Sequence, residues 1–180
     1  TYPYGEYVLS GSSVGVWVAA IDKSYGKAEI TEPIYYSVES DNTTVGQAVI
    51  NNDGYATLYG DGDVYFSAVT GEAYGSTMLH SVSNPDSIVI KNESDGSEVS
   101  SLSVSSGQTV YLTADSVYQN INLTDSDEAY SWSVSDENLG TISADGTFIP
   151  GNVSGTGTIN VSAGSVSASV NLTVSAGPEQ

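Results

Sequence analysis

The sequence predicts an all-β chain arranged as two tandem β-sandwich domains, and three observations carry that expectation. Apolar residues alternate with polar ones over short stretches, the signature of strands with one buried face. Turn-forming pairs such as Asp53-Gly54 and Asp145-Gly146 punctuate these stretches. The first half of the chain also matches the second in order, with a period of about 95 residues, which is a domain duplication rather than a solenoid repeat.

Length and composition agree. A chain of 180 residues suits two domains of about 90. Charged residues make up 14%, below the usual share of about a quarter, so the polarity comes mostly from Ser, Thr, Asn and Gly. Mixed with Val, Ile and Tyr, these suit half-buried strands joined by tight turns. No stretch repeats apolar positions at the helical spacing of three and four.

The strands can be taken in order. Val16, Val18 and Ala20 alternate with Trp17 and Ala19; Ile34, Tyr36 and Val38 follow, then Val64, Phe66 and Ala68. The second half answers with Val110-Tyr-Leu112-Thr-Ala114, then Tyr130, Trp132 and Val134, then Ile159, Val161 and Ala163. Slipping any of these by one residue would expose its apolar set, which determines its phase. Tyr36 and Trp132 are expected at equivalent core positions. Between the strands, Gly46, Asp53-Gly54 and Gly60-Asp-Gly62 match Gly140, Asp145-Gly146 and Gly155-Thr-Gly157, and each Gly-x-Gly reads as a loop entering a strand. Pro85 holds Asn84 extended and lacks a ladder donor, so pairing should stop there. The expected domains are residues 1–84 and 85–180.

Trp132-Ser-Val-Ser-Asp136, Gly140-Thr-Ile142, Asp145-Gly146-Thr-Phe148, Gly155-Thr-Gly157 and Val161-Ser-Ala163 together resemble the bacterial immunoglobulin-like domains of group 2. They are also similar to the immunoglobulin-like modules of invasin and intimin stalks. The resemblance covers residues 86–174 well and residues 6–83 more loosely, because Tyr36 stands where the pattern has tryptophan. It implies two tandem immunoglobulin-like β-sandwiches at a cell surface, where such modules serve as stalks, spacers, adhesins and appendages of surface hydrolases.

Charge excludes whole classes of partner. Twenty-two acids face three lysines (Lys23, Lys27 and Lys91) with no arginine, and the formal net charge is −19. Such a chain repels a phosphate backbone, so nucleic acid is excluded, and anionic membrane surfaces are disfavoured for the same reason. The acidity reads first as solubility and self-repulsion. Cysteine is absent, which removes disulfides and thiolate metal sites without opposing secretion. No signal peptide or membrane span is present and the chain begins at Thr1, so it reads as a piece of something longer, extracellular and not inserted in a membrane.

Candidate chemistry is sparse. Gly11-Ser12-Ser13-Val14-Gly15 matches a nucleophile pattern, but a nucleophile elbow needs a helix after it and here a strand follows. His80 is the single histidine. Alternation from Val82 would point it inward with Met78, whereas placing Leu79 in the core points it out, and an edge strand is its expected place. Catalytic residues are therefore expected to be none. Asp53, Asp61 and Asp63, near two loops, are weak calcium candidates, and Asp125, Asp127 and Glu128 form a second acid group; neither has a full calcium-loop spacing. No cofactor is otherwise implied.

Exposed aromatics are the remaining signal. Tyr35 and Tyr65 should point outward from neighbouring strands, and Trp17 and Tyr111 from the other sheet of their domains. Rings on a sheet face can stack on sugars, although aromatics also brace cross-strand neighbours. The leading expectation is a non-catalytic spacer or stalk of a larger cell-surface or secreted protein, in contact with neighbouring domains of its own polypeptide. The alternatives are a carbohydrate- or surface-protein-binding adhesion module, with Tyr35 and Tyr65 as glycan-stacking residues, and accessory domains of a surface glycan-active hydrolase.

Overall fold

A computed structural model describes residues 5–16, 18–21, 27–40, 47–51 and 53–177. They form two compact units, one built from the chain up to Ser83 with Leu123–Ser126, the other from Asn84–Asn122 and the chain from Asp127 onward. Among the described residues the helical pieces are single 3-10 turns at Asp127–Ala129 and Glu137–Leu139.

In the first unit the strands are β1 (Glu6–Leu9), β2 (Ser13–Gly15), β3 (Ala20–Ile21), β4 (Lys27–Ala28), β5 (Tyr35–Ser40), β6 (Gln47–Ile50), β7 (Tyr55–Tyr59), β8 (Gly62–Thr70) and β9 (Ala73–Val82). One sheet has the order β1-β9-β8-β5 and a second β2-β7-β6, while β3 and β4 pair with each other. Val8, Val64, Phe66 and Leu79 from the first sheet meet Val14, Val16, Ala56 and Leu58 in one buried cluster. Transfer of these faces from water is the main favourable term in folding the unit. The outer edge of β1 is covered in part by Thr124, whose N–H donates to the Tyr7 carbonyl and whose carbonyl accepts from Leu9, both at 2.9 Å.

The second unit contains β10 (Ser87–Asn92), β11 (Ser101–Ser105), β12 (Val110–Tyr118), β13 (Ile121–Asn122), β14 (Ser131–Val134), β15 (Gly140–Ile142), β16 (Thr147–Pro150), β17 (Gly155–Ala163) and β18 (Val166–Ser175). Its sheets are β10-β12-β16-β15, with β13 beside β12, and β11-β18-β17-β14. Counted along the chain, the first is the ABED order and the second ends in GFC, which is the immunoglobulin arrangement. The first unit shows the same order, β9-β8-β5 against β2-β7-β6. The fold is immunoglobulin-like. In each unit an early strand runs parallel to the last one, β1 with β9 and β11 with β18.

Alternation identified the inward residues of β8 and β17 but matched two strand pairs of the two halves two residues out of step. Val16 donates to the Gly54 carbonyl at 2.7 Å and Leu112 donates to that of Gly146 at 3.1 Å, so Val16 stands where Leu112 does, not Val110. Thr70 and Ala163 close the equivalent hairpins against Ala73 and Val166, so Ala68 answers Val161, not Ala163. With that correction Tyr36 lies opposite Ala68 and Trp132 opposite Val161. Each ring also lies near the glycine of its Asp-Gly turn: a Cβ at Gly54 would be 3.1 Å from Tyr36 Oη, and one at Gly146 3.5 Å from the Trp132 ring. Both rings are only half-buried. The fully packed ring of the second unit's stretch is Tyr130, whose hydroxyl shares a 2.8 Å hydrogen bond with the buried Ser116.

Two further expectations are corrected. The strand expected through Val16–Ala20 is centred earlier, on Ser13–Gly15, and Trp17 lies outside the described residues. Gly155 and Gly157 lie inside β17 rather than in a loop before it. A Cβ at either would come within 2.7 Å of a Leu139 methyl, so the missing side chains leave the hollow that buried Leu139 fills.

Turn chemistry also sets an acid response. The Ser143 hydroxyl donates to Asp145 at 2.5 Å and the Thr147 N–H at 3.0 Å, and they hold the Asp145 carboxyl below its ordinary range. Asp95 is lowered in the same way, first by the Ser97 hydroxyl and then by the Ser97 N–H. A carboxyl lowered in the folded state stabilises above its unfolded pKa, and that contribution is lost as pH falls through the folded value. The stability gap between wild type and Asp145→Asn should therefore shrink as pH falls from the ordinary aspartate range, about 4, through the lowered folded value. Denaturant titrations across that range would show it, and a constant gap would refute it.

Candidate functional site: an exposed aromatic sheet face

The outer face of the β1-β9-β8-β5 sheet is a grid whose rows follow from strand register. Tyr35 stands opposite Val69, and Val69 opposite Tyr74. The next row is Ser37, Ser67 and Ser76, and the third is Glu39, Tyr65 and Met78. The fourth is Asp63, His80 and Tyr7. The inward neighbours Val64, Phe66, Ala68, Thr77 and Leu79 are buried, which fixes this set as the outward one.

Tyr35 and Tyr65 both point outward, at 69% and 36% exposure, from adjacent strands. They are not in register, however. Four residues of strand separate their rows, about 13 Å. The ring that shares Tyr35's row is Tyr74, 69% exposed, with Val69 at 40% between them. Tyr74 was missed, although placing Leu79 in the core and counting back by twos from His80 would have pointed it outward. Its hydroxyl lies 3.1 Å from Ser67 Oγ, which draws the ring over the neighbouring strand.

His80 is on an interior strand of its sheet, not an edge, because β9 has β1 on one side and β8 on the other. It points outward, hydrogen-bonds Asp63 and stacks on Tyr7 with ring centroids 4.6 Å apart. Ser13 opens β2 after a turn at Gly11, and its N–H donates to Ser126 Oγ at 3.1 Å.

The calcium candidates are dispersed. Asp53 lies in the β6–β7 turn, Asp61 accepts from the Ser83 N–H at 2.5 Å, and Asp63 is engaged with His80. Among the described residues no group of three or more His, Cys, Asp or Glu side chains could hold a metal ion. Tyr111 is exposed on β12. Two surface hollows in the second unit, of about 370 and 260 Å³, are lined by Ile88, Ile90, Val99 and Ala168 in one case and Trp132 and Ile142 in the other. Each has one carboxylate on its lining, Glu98 and Glu137 respectively.

No family model and no curated protein matches the chain. Among solved structures, surface layer protein SbsC domains 5–6 is 17% identical over 97% of this chain and 94% of that one, with a TM-score of 0.40. The chain spans 26% of the SbsC structure of domains 1–6, at 18% identity and a TM-score of 0.39. Invasin, a bacterial integrin-binding protein, is 16% identical over 87% of this chain and 34% of its own, with a TM-score of 0.33. The immunoglobulin-like assignment rests on strand order within each unit, not on these likenesses. Among the described residues no helix is long and apolar enough to cross a membrane.

Proposed function

We propose that the chain is a non-catalytic, load-bearing spacer of a larger extracellular protein, made of two immunoglobulin-like domains of the bacterial group 2 type joined in sequence at Ser83–Asp86. The observation that carries this reading is the parallel pairing of an early strand with the last strand in each unit. β1 pairs with β9 over Glu6–Leu9, and β11 with β18 over Ser101–Ser105. Tension applied along such a pair loads its hydrogen bonds in shear, all together, instead of opening them one at a time. A stalk module needs that resistance; a catalytic domain does not.

The alternation of backbone bonds makes the reading testable. Asn171 donates to Ser100 O and Ser106 donates to Ser175 O, so the N–H groups of Leu102 and Val104 face β18 while that of Ser103 faces away. Leu102→Pro removes a ladder donor, whereas Ser103→Pro on the same strand does not. Pulling the chain by its ends should show a lower unfolding force for Leu102→Pro and a near-wild-type force for Ser103→Pro. Forced unfolding reads the unfolding barrier directly. Equal forces in all three proteins would refute the mechanical reading.

A further inference from the structure

We infer that the outer face of the first unit's β1-β9-β8-β5 sheet binds a neutral glycan, with Tyr35 and Tyr74 as paired stacking platforms. The two rings share one row, two strands apart, which places their strands about 10 Å from each other. Val69, 40% exposed, fills the space between them, so the row is continuous apolar surface. Sugar rings present C–H faces that suit the negative face of a phenol ring. Tyr74 is held over the neighbouring strand through its hydroxyl and Ser67, which limits the freedom lost on binding.

The adjoining row supplies the polar half of the site. Ser37 is exposed in the next row, two residues or about 7 Å along the strand from Tyr35, where sugar hydroxyls would lie, and Ser67 beside it is joined to Tyr74. Charge selects the ligand class. β5, β8 and β9 contain no lysine or arginine, Glu39 and Glu72 are exposed at the margins, and the whole chain carries −19. Sulfated, uronic or sialylated glycans would be repelled, and neutral ones would not. Tyr65, four residues along the strand from that row, lies outside the site.

The 180-residue chain should be tested on a glycan array carrying neutral, sialylated and sulfated glycans, beside Tyr35→Ala, Tyr74→Ala and Tyr65→Ala, with circular dichroism confirming the fold of each. Retention of neutral glycans is expected, reduced at least about fivefold by Tyr35→Ala and by Tyr74→Ala and unchanged by Tyr65→Ala. Failure to retain any neutral glycan, a preference for anionic ones, or binding that survives both row substitutions would overturn the inference. The pulling experiment reads a different unit, so either result stands without the other.

Discussion

Phe148→Ala is expected to lower the stability of the second unit by about 3–5 kcal/mol. Phe148 is fully buried on β16, opposite both Val110 and Ile142. A Cβ at Gly140 would lie 2.7 Å from its ring edge, so the ring occupies the space that glycine leaves. Truncation would leave a cavity between sheets that neither backbone can easily close. Ile149, the next residue, is 54% exposed on the opposite side of the same strand, and Ile149→Ala should change stability by less than about 1 kcal/mol. Denaturant unfolding of the two variants side by side is the check. Comparable losses would mean that the inner and outer faces of β16 are wrongly assigned.

Gly146→Ala should be nearly as damaging, at about 3 kcal/mol or more, for a different reason. Gly146 has φ +80°, where an L side chain is strained by about 1–2 kcal/mol. A Cβ there would also come within 2.0 Å of the Leu112 carbonyl oxygen, which is backbone and has no rotamer to escape into. Forcing the two apart would stretch the Leu112–Gly146 hydrogen bond that ties β12 to the turn and add an overpacking penalty of about 1–3 kcal/mol. Gly107 provides the comparison. Its φ is +84°, but nothing lies within 4 Å of its Cβ position, so Gly107→Ala should cost only the backbone strain. If thermal or denaturant unfolding ranks the two equally, the close approach contributes nothing.

What the sequence made legible, and what it did not, follows from the period of a strand. Alternation places Val64, Phe66, Ala68, Ile159, Val161 and Ala163 inside, and all six are buried. A period of two, however, is unchanged by a shift of two, so Val16 could be matched to Val110 or Leu112 with the same inward phase. Only hydrogen bonds from Val16 and Leu112 to the turn glycines break that degeneracy. The aromatic face was half-legible for the same reason. Outward direction for Tyr35 and Tyr65 follows from one strand at a time, but their separation depends on register between strands, and Tyr74 joins the row only once the Thr70–Ala73 turn fixes the hairpin. The Gly155 and Gly157 pair misled because a strand glycine and a loop glycine look alike until Leu139 is seen to fill the space.

The parallel strand pairs also govern how the protein must be made. β1 is synthesised first in its unit, yet its ladder partner β9 emerges last, with every other strand of that unit in between. The same is true of β11 and β18 apart from β10. During translation each early strand waits with an unpaired edge while the ribosome works through the remaining strands. Its closing contacts span most of the unit and carry the high contact order that slows folding. A chain released before β9 or β18 would lack the core residues those strands carry, Leu79 in the first unit and Val170, Leu172 and Val174 in the second, and would leave an open edge exposed to aggregation until synthesis is complete.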